Sequence, residues 1–547
     1  MVATEESISA PPSLASKMAR FAPAGLVLAG LAARLISAHS KFLNADEAMH
    51  YLYSLQPSFA ATYQASLRTT HPPLLIILLH YWGMISSTEF FLRIPSALGG
   101  TAAGWFLYLW LRRIRDNTTA LIALALLLFS PALIYTSAEI RQYALLLAFV
   151  SATLYFFDCA LLEDTPAAML GSIIALYLAL STHYCALIFA LCAGIYGIAR
   201  MVSVRPRASV LWLWILGQAG GVILAAVFWK THIVVIRKLT ERVAESYLRS
   251  SLFHPGEESL VAFLFRSNIR VFHFLFSQGA VAIAGMLLYM MAIVVLLRTR
   301  TPASLVRRPS SRQLGMLLLL PFVINCAAAL AGVYPYGGTR HNSYLAVFAM
   351  PAIAVAVAWV KLPATWMKPV AIAIALGLCN FTVTPAGAYI QAKNQKKDLM
   401  DGAVSWIHAS VPSNSIILAD YESGLLLSYY ICHKSAVQTQ PPLELFYPAR
   451  CGDYESLTLL PRLWVFQAAN FPAQARQLQQ SFSRDQSQQV WLFEAGFIVD
   501  REPDFQSLLA QYGCPKPQRF GANIFVCPIS LVPVAPGSDS LSKSGAK

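Results

Sequence analysis

The sequence predicts a polytopic α-helical membrane protein that carries a soluble α/β domain at its C-terminal end. Hydrophobic residues make up 56% of the 547-residue chain and charged residues only 12%, whereas soluble globular domains are about 25% charged. Apolar runs long enough to span a bilayer recur through residues 21–385. Beyond them, strand-like and helical stretches alternate in a soluble composition, which is typical of an α/β domain.

We place about eleven transmembrane helices in the chain, because an apolar segment of roughly 17 to 25 residues can cross a bilayer. No small-residue cleavage site follows the first apolar run, so we expect this run to stay as a signal anchor behind a cytoplasmic tail of residues 1–20. The predicted spans lie near residues 21–38, 94–111, 118–135, 142–161, 167–182, 184–199, 210–230, 272–297, 314–333, 343–360 and 368–385.

The basic charge of the chain follows its predicted topology. The formal net charge is +14, but from Pro385 onward 13 Lys and Arg balance 13 Asp and Glu, so the excess lies in the predicted membrane domain of residues 21–390. Much of it is concentrated in short connections, such as Arg112, Arg113 and Arg115, as the positive-inside rule predicts for cytoplasmic loops. The basicity therefore indicates orientation in a membrane rather than a nucleic-acid partner. The N-terminus is predicted to be cytoplasmic and the C-terminal domain to be extracytoplasmic.

One further apolar segment, residues 71–82, is predicted not to cross. If it crossed, the basic clusters after it would face outward, against the positive-inside rule. We interpret it as a juxtamembrane or re-entrant helix in the first outer loop, with Pro72 and Pro73 at its first turn.

The soluble domain is predicted to occupy residues 391–532, followed by a disordered tail at 533–547 that is rich in Pro, Gly and Ser. A helix at 398–410 and strands at 415–420, 462–467 and 490–494 indicate its α/β class. Its four cysteines suit one or two disulfides in an oxidising compartment, with the pairing left open. They are Cys432, Cys451, Cys514 and Cys527.

An acidic pair, Asp46 and Glu47, stands a few residues beyond the first span. One interpretation is structural: Asn44 caps a helix and Glu47 completes a capping box. The other is catalytic: one carboxylate accepts a proton from a hydroxyl as a general base. The two roles are compatible, and we assign the base to Asp46 and the supporting role to Glu47.

Three further groups of ionisable residues lie at the same predicted membrane face. Arg141 can hold a phosphate with its planar fork of donors, with Glu139 orienting it, or the two can form a structural ion pair. Arg340 and His341 follow a Gly-rich stretch that suits either a phosphate site or a plain turn. Arg93 is a similar candidate, although arginines at the ends of spans often only extend their charged groups to the membrane–water interface.

A required metal is not predicted. Asp46 and His50 are four residues apart and would share one helix face, which makes them the ligands if a divalent metal is bound. No paired-ligand spacing such as His-Glu-x-x-His or Cys-x-x-Cys accompanies them.

Several short motifs, in order, resemble the lipid-linked-sugar glycosyltransferases of the GT-C fold. The likeness is greatest to the bacterial branch related to protein O-mannosyltransferases (glycosyltransferase family 39) and to lipid A aminoarabinose transferases. The motifs are Asp46-Glu47-Ala48, His71-Pro72-Pro73-Leu74, the Phe-Phe-Leu-Arg-Ile-Pro-Ser-Ala-Leu-Gly-Gly segment of residues 90–100, and Ser137-x-Glu139-x-Arg141-x-Tyr143; the Thr339-Arg340-His341-Asn342-Ser343-Tyr344-Leu345 segment resembles the family's last loop less closely.

The resemblance implies inverting transfer of a sugar from a polyprenyl-phosphate donor to a hydroxyl of a lipid, a glycan or a protein. A protein acceptor fits less well, because the middle loop at residues 231–271 is too short for the β-trefoil insert of protein mannosyltransferases. It implies that Asp46 matches the family's catalytic acidic position and that Glu47 matches the neighbouring position. It places His71, Arg93, Glu139, Arg141, Tyr143, Arg340 and His341 in the donor site. The implied location is the bacterial cytoplasmic membrane. Two rival functions remain: a transporter or flippase of lipid-linked glycans, and a ligase or polymerase of surface glycans. Inverted repeats would support a transporter, and the sequence does not show them.

Overall fold

The computed structural model describes residues 14–236, 248–299, 307–359, 364–379, 393, 395–432, 437–438, 445–460, 464–482, 489–496 and 503–534. The chain forms two compact units. The helical unit comprises residues 1–38, 67–75 and 93–386. The mixed unit comprises residues 39–66, 76–92 and 387–547. The predicted domain boundary at residues 390 and 391 stays a prediction.

The helical unit is built from long apolar helices, two of which begin or end in the mixed unit. In chain order these are α1 (Leu14–His39), α5 (Glu89–Ile114), α6 (Asn117–Leu128), α7 (Pro131–Ser137), α8 (Tyr143–Glu163), α9 (Pro166–Leu180), α10 (Ala186–Val204), α11 (Ala208–Phe228), α12 (Leu260–Phe276), α13 (Gly279–Arg298), α14 (Ser311–Leu330), α15 (Ala346–Ala358) and α16 (Ala364–Cys379). A π-helical turn, Trp229–Ile233, extends α11, and short 3₁₀ helices form at Arg249–Ser251 and Arg340–Leu345.

Among the described residues, seven helices are long and apolar enough to cross a membrane, or eight if the bent pair α6 and α7 is one span. The predicted polytopic helical class is confirmed. Each of the eleven predicted spans overlaps a helix in its described part, while residues 380–385 of the last one lie outside the described residues. The predicted span at 272–297 begins too early, because Ser277 (φ 50°) separates α12 from α13. The seven are Phe21–His39, Tyr143–Glu163, Ala186–Val204, Ala208–Ile236, Gly279–Arg298, Ser311–Leu330 and Arg340–Ala358.

The break between α6 and α7 positions the Ser-x-Glu-x-Arg motif. The two helices bend by 61°, and Pro131 explains the break because it cannot donate a backbone hydrogen bond and keeps Ser130 extended (ψ 122°). The buried guanidinium of Arg34 donates to the carbonyl of Leu128 at 2.8 Å and so caps the end of α6. The motif then starts at Ser137, the last residue of α7.

The mixed unit joins three short helices to a seven-stranded sheet. The helices are α2 (Ala45–Ser54), α3 (Phe59–Ser66) and α4 (Leu74–Gly83), of which α4 begins in the helical unit. At ten residues α4 is about 15 Å long, half the hydrocarbon thickness, which favours the prediction that residues 71–82 do not cross.

The sheet has the strand order β2-β3-β4-β1-β5-β7-β6. Its strands are β1 (Ile416–Ala419), β2 (Val437–Gln438), β3 (Phe446–Cys451), β4 (Tyr454–Leu459), β5 (Val490–Ala495), β6 (Gln518–Arg519) and β7 (Ile524–Ile529). The central strand β1 pairs in parallel with β4 and β5 and is buried at every residue. Four helices accompany the sheet: α17 (Lys397–Ser410), α18 (Tyr421–Tyr430), α19 (Phe471–Phe482) and α20 (Pro503–Gln511).

The predicted α/β class of this domain is confirmed, with differences in detail. The helix at 398–410 and the strands at 415–420 and 490–494 correspond to α17, β1 and β5. The predicted strand at 462–467 is wrong where it is described, since residues 464–467 form no strand, and residues 461–463 lie outside the described part. Two disulfides form, Cys432–Cys451 and Cys514–Cys527. Most of the predicted disordered tail also lies outside the described residues.

Candidate functional site

Six residues of the helical unit come together from four separate chain segments. We call them the arginine–histidine cluster: His71, Arg141, Tyr143, His183, Arg340 and His341. The sequence singles out five of the six, and the sixth, His183, lies in the turn between α9 and α10. The cluster is buried apart from Arg340, which is partly exposed.

The ring of Tyr143 is the centre of this cluster. The guanidinium carbon of Arg141 lies 5.6 Å from the ring centroid, and that of Arg340 lies 5.8 Å from it. Arginine at this distance from an aromatic face is attracted by the ring quadrupole. Tyr143 thus brings two cations together that are about 200 residues apart in sequence.

Arg141 is held by both its backbone and its side chain. The hydroxyl of Ser96 on α5 donates to its carbonyl at 3.1 Å. Its guanidinium Nη2 donates to the Tyr143 hydroxyl at 3.4 Å and lies 3.5 Å from Nε2 of His71. These contacts orient a buried guanidinium before any ligand arrives, which reduces the ordering that ligand binding requires.

Arg340 and His341 begin the 3₁₀ helix that follows the Gly-rich loop. The side-chain nitrogen of Asn342 donates to the carbonyls of Pro335 and Gly337, at 3.2 and 3.1 Å, and so closes this loop on itself. The hydroxyl of Tyr334 donates to the carbonyl of His341 at 3.2 Å. The loop is therefore a packed structural element rather than a plain tight turn.

The ring of His183 contacts two other imidazoles of the cluster. Its ring centroid lies 5.2 Å from that of His71 and 5.9 Å from that of His341. Burial lowers the pKa of His183 to about 3, and the charges of Arg141 and Arg340 act in the same direction. The imidazole is therefore neutral at physiological pH.

The neutral state of His183 indicates the electrostatic character of the cluster. Burial is the main cause that disfavours a positive charge on this imidazole, and the two guanidinium groups add to it. A site with positive potential, aromatic walls and oriented N–H donors favours an anion with several acceptor oxygens, such as a phosphate. The sequence offered one signal for His183, an ionisable residue between two apolar spans.

Two other predicted site residues lie in the helical unit with different contacts. Glu139 is buried, and its carbonyl accepts from the backbone N–H of Arg141 at 2.8 Å. Arg93 is buried, and its guanidinium donates to the carbonyl of Ala38 at 2.7 Å, near the end of α1. That contact gives Arg93 a structural role, because it satisfies a carbonyl of the last helical turn.

The predicted capping box at the acidic stretch is present in the mixed unit. The Asn44 side chain accepts from the backbone N–H of Glu47 at 3.2 Å, and the Glu47 carboxylate accepts from the backbone N–H of Asn44 at 3.0 Å. The Glu47 carboxylate thus caps the start of α2. Nδ1 of His50 lies 2.6 Å from the backbone carbonyl of Asp46.

Asp46 forms an ion pair with Lys393, a residue that sequence reasoning missed. The two side chains are 10% and 2% exposed, respectively. The pair is separated by 347 residues, so no local pattern could have indicated it. A second ion pair of the same unit joins Lys397 to Glu89 at 2.9 Å.

The described residues contain no group of three or more His, Cys, Asp and Glu side chains that could hold a metal ion. Nδ1 of His50, one of the two ligands suggested by their spacing, contacts the backbone carbonyl of Asp46, the other.

Comparison with known proteins matches part of the chain to a protein family. Residues 70–229 match the family model described as dolichyl-phosphate-mannose-protein mannosyltransferase. This segment contains His71, Arg93, Glu139, Arg141, Tyr143 and His183. A search of the curated proteins finds no match.

Comparison with solved structures covers nearly the whole chain. The chain is similar to the crystal structure of ArnT from Cupriavidus metallidurans in the apo state, with a TM-score of 0.53 and 14% identity, covering 96% of this chain and 100% of that chain. It is also similar to the same protein bound to undecaprenyl phosphate, with a TM-score of 0.53 and 13% identity, covering 94% of this chain and 99% of that chain. At these identities the likeness shows the fold. Together with the family match it confirms the resemblance to GT-C glycosyltransferases.

Proposed function

We propose that the protein is an inverting glycosyltransferase, which moves a sugar from a polyprenyl-phosphate donor to a hydroxyl of a lipid, glycan or protein acceptor. The observation that carries this proposal is the convergence of Arg141 and Arg340 on Tyr143 beside a neutral His183. The family match over residues 70–229 and the ArnT-like fold support it. One of the similar structures holds undecaprenyl phosphate, a lipid of the proposed donor class.

The arginine–histidine cluster is proposed to bind the donor phosphate. Arg141 and Arg340 would contact its oxygens, while His71, Tyr143 and His341 would position the two guanidinium groups. During transfer the bond between the anomeric carbon and the phosphate oxygen breaks, and its electron pair stays on the phosphate. Fixed cations stabilise the negative charge that develops there, so a general acid is not required for the leaving group.

Asp46 is proposed to be the general base. Its carboxylate takes the proton of the acceptor hydroxyl as the acceptor oxygen bonds to the anomeric carbon on the face opposite the phosphate. Glu47 supports it by capping α2. Glu139 and Arg93 are proposed to shape the donor site through the backbone contacts they make.

The protein is a multi-pass membrane protein, and we place it in the bacterial cytoplasmic membrane with the mixed unit on the outer side. The two disulfides of the C-terminal domain support this orientation, since they persist in an oxidising compartment. We propose that transfer needs no bound metal. Activity that disappears with EDTA and returns with a divalent cation would contradict this.

The experiment that tests the function is an assay of lipid-phosphate release. Purified protein is incubated with a panel of polyprenyl-phosphate sugars, with and without lipid and glycan acceptors. We expect release from at least one donor, and a loss of about 10²-fold or more in kcat for Asp46→Asn, in line with the usual contribution of a general base. Glu257→Gln is a suitable control, because Glu257 is exposed and pairs with Arg249, and neither residue is a member of the cluster.

Two outcomes would contradict the proposal. Release from no donor in the panel would remove the glycosyltransferase function. Undiminished release in Asp46→Asn would retain the function but remove Asp46 as the base.

A further inference from the structure

Lys393, a buried lysine just before α17, meets Asp46 at the start of α2 (Ala45–Ser54). Lys393 and Asp46 belong to the same compact unit, and their side chains form an ion pair almost out of contact with solvent. Moving a lysine and an aspartate out of water is unfavourable unless each neutralises the other. The pair therefore sets the charge state of both groups.

We propose that Lys393 is a positioning residue, which holds the Asp46 carboxylate in place and in its ionised form. The inference rests on the proposed role of Asp46 as a base, because only an ionised carboxylate can accept the acceptor's proton. A buried carboxylate that lacks a counter-charge binds a proton instead. Through Lys393 the C-terminal domain would contribute to catalysis by positioning the proposed base.

Contacts around the pair hold α2, the helix that carries Asp46 and Glu47, against the soluble domain. The Tyr430 hydroxyl on α18 contacts the Glu89 carboxylate and accepts from the backbone N–H of Leu43 at 2.7 Å. The neighbouring Tyr429 packs edge-on against Tyr51 of α2. The position of Asp46 therefore depends on Tyr429 and Tyr430 of the soluble domain as well as on Lys393.

Among the described residues, three ionisable groups, Glu47, His50 and Lys393, lie on or contact the segment that carries Asp46. Glu47 and His50 lie on its own helix, where Glu47 caps the backbone and His50 faces the Asp46 carbonyl. Lys393, which lies four residues before the start of α17, pairs with Asp46. Lys397, the first residue of α17, pairs with Glu89 and so provides a matched ion pair that does not involve Asp46.

The inference is tested with dicyclohexylcarbodiimide, which reacts with protonated carboxyl groups in apolar surroundings. Full-length protein in detergent is labelled across a pH series, and modification of Asp46 is followed by mass spectrometry of the peptide Phe42–Arg68. In the wild type we expect Asp46 to resist labelling at pH 7. In Lys393→Met we expect labelling at pH 7 to rise about tenfold or more, and its midpoint to move up by about one pH unit or more.

Three variants keep the result interpretable. Lys393→Arg keeps the charge and should stay protected. Lys393→Gln keeps a donor without the charge and should label like Lys393→Met, which provides a second measurement if the methionine variant fails to fold. Lys397→Met should leave Asp46 protected, because the ion pair that it removes is the one with Glu89.

The labelling does not depend on turnover, so its outcome is separate from that of the transfer assay. Labelling of Asp46 in the folded wild type at pH 7, or equal labelling in wild type and Lys393→Met, would overturn the inference even if sugar transfer is found. Protection that depends on Lys393 in a protein that releases no lipid phosphate would overturn the proposed function and leave the ion pair established. With transfer present, we expect Lys393→Met to lower kcat without weakening donor binding.

Discussion

A single methyl group at Gly338 should disturb the donor site without touching it. Gly338 lies in the Gly-rich loop two residues before Arg340, and a Cβ built on it would stand 2.5 Å from the backbone carbonyl oxygen of Arg270. Backbone cannot swing aside as a flexible side chain can. In Gly338→Ala the loop must therefore retreat by about 0.5 to 0.9 Å to reach contacts of 3.0 to 3.4 Å.

A displacement of this size matters because Arg340 and His341 follow directly. A misplacement of about 1 Å can reduce catalysis roughly 10²-fold, so we expect kcat/KM for lipid-phosphate release to fall between about 10-fold and 10²-fold. Overpacking also destabilises a protein, typically by about 1 to 3 kcal/mol. Thermal unfolding measured beside activity separates the two effects.

The matched control is Gly279→Ala at the start of α13, where a Cβ meets nothing within 4 Å. We expect this variant to keep wild-type activity and stability. Wild-type kcat/KM in folded Gly338→Ala would refute the reasoning, since it would show that the position of Arg340 does not limit transfer.

Two further predictions concern the cluster and the soluble domain. Arg141→Lys keeps the charge but loses the planar fork, so we expect the Kd for undecaprenyl phosphate to rise about 10-fold to 10²-fold, measured by calorimetry in detergent; an unchanged Kd would remove Arg141 from the phosphate site. In the soluble domain, burial first, and then the charges of Asp420 and Glu422, raise the pKa of Glu494 well above its usual value. The native state therefore holds a proton that the unfolded state releases above its ordinary pKa, so the stability of the domain should decline as pH rises from about 4.5 toward the folded pKa. Glu494→Gln should flatten this decline, as measured by hydrogen exchange of β1 and β5 against the wild type at each pH, and parallel curves would contradict it.

The fold class followed from the sequence because bilayer thickness imposes a strong constraint on composition. A helix that crosses lipid must satisfy its backbone internally and present apolar side chains over its whole length, and this pattern is local. The apolar spans could therefore be located without tertiary information. No strand forms at 464–467, the described part of the strand predicted at 462–467, because short apolar runs in a soluble domain fit several local structures.

The candidate site divides in the same way. The capping box at Asn44 and Glu47 is encoded within four residues, and the sequence alone determined it. The meeting of Arg141 and Arg340 on one tyrosine ring, and the contact of His183 with two imidazoles, were decided by helix packing. Short motifs could nominate the two arginines but could not bring them together.

What the sequence alone determined is the class of the protein, the residues that bear charge in an apolar setting and the local cap of the acidic helix. Tertiary structure alone decided the partner of Asp46. Lys393 is one of 41 basic residues and stands 347 positions away, and the strength of its interaction depends on distance and burial rather than on neighbouring residues. Coulomb attraction in a buried setting acts through space, so only the folded chain could select this lysine.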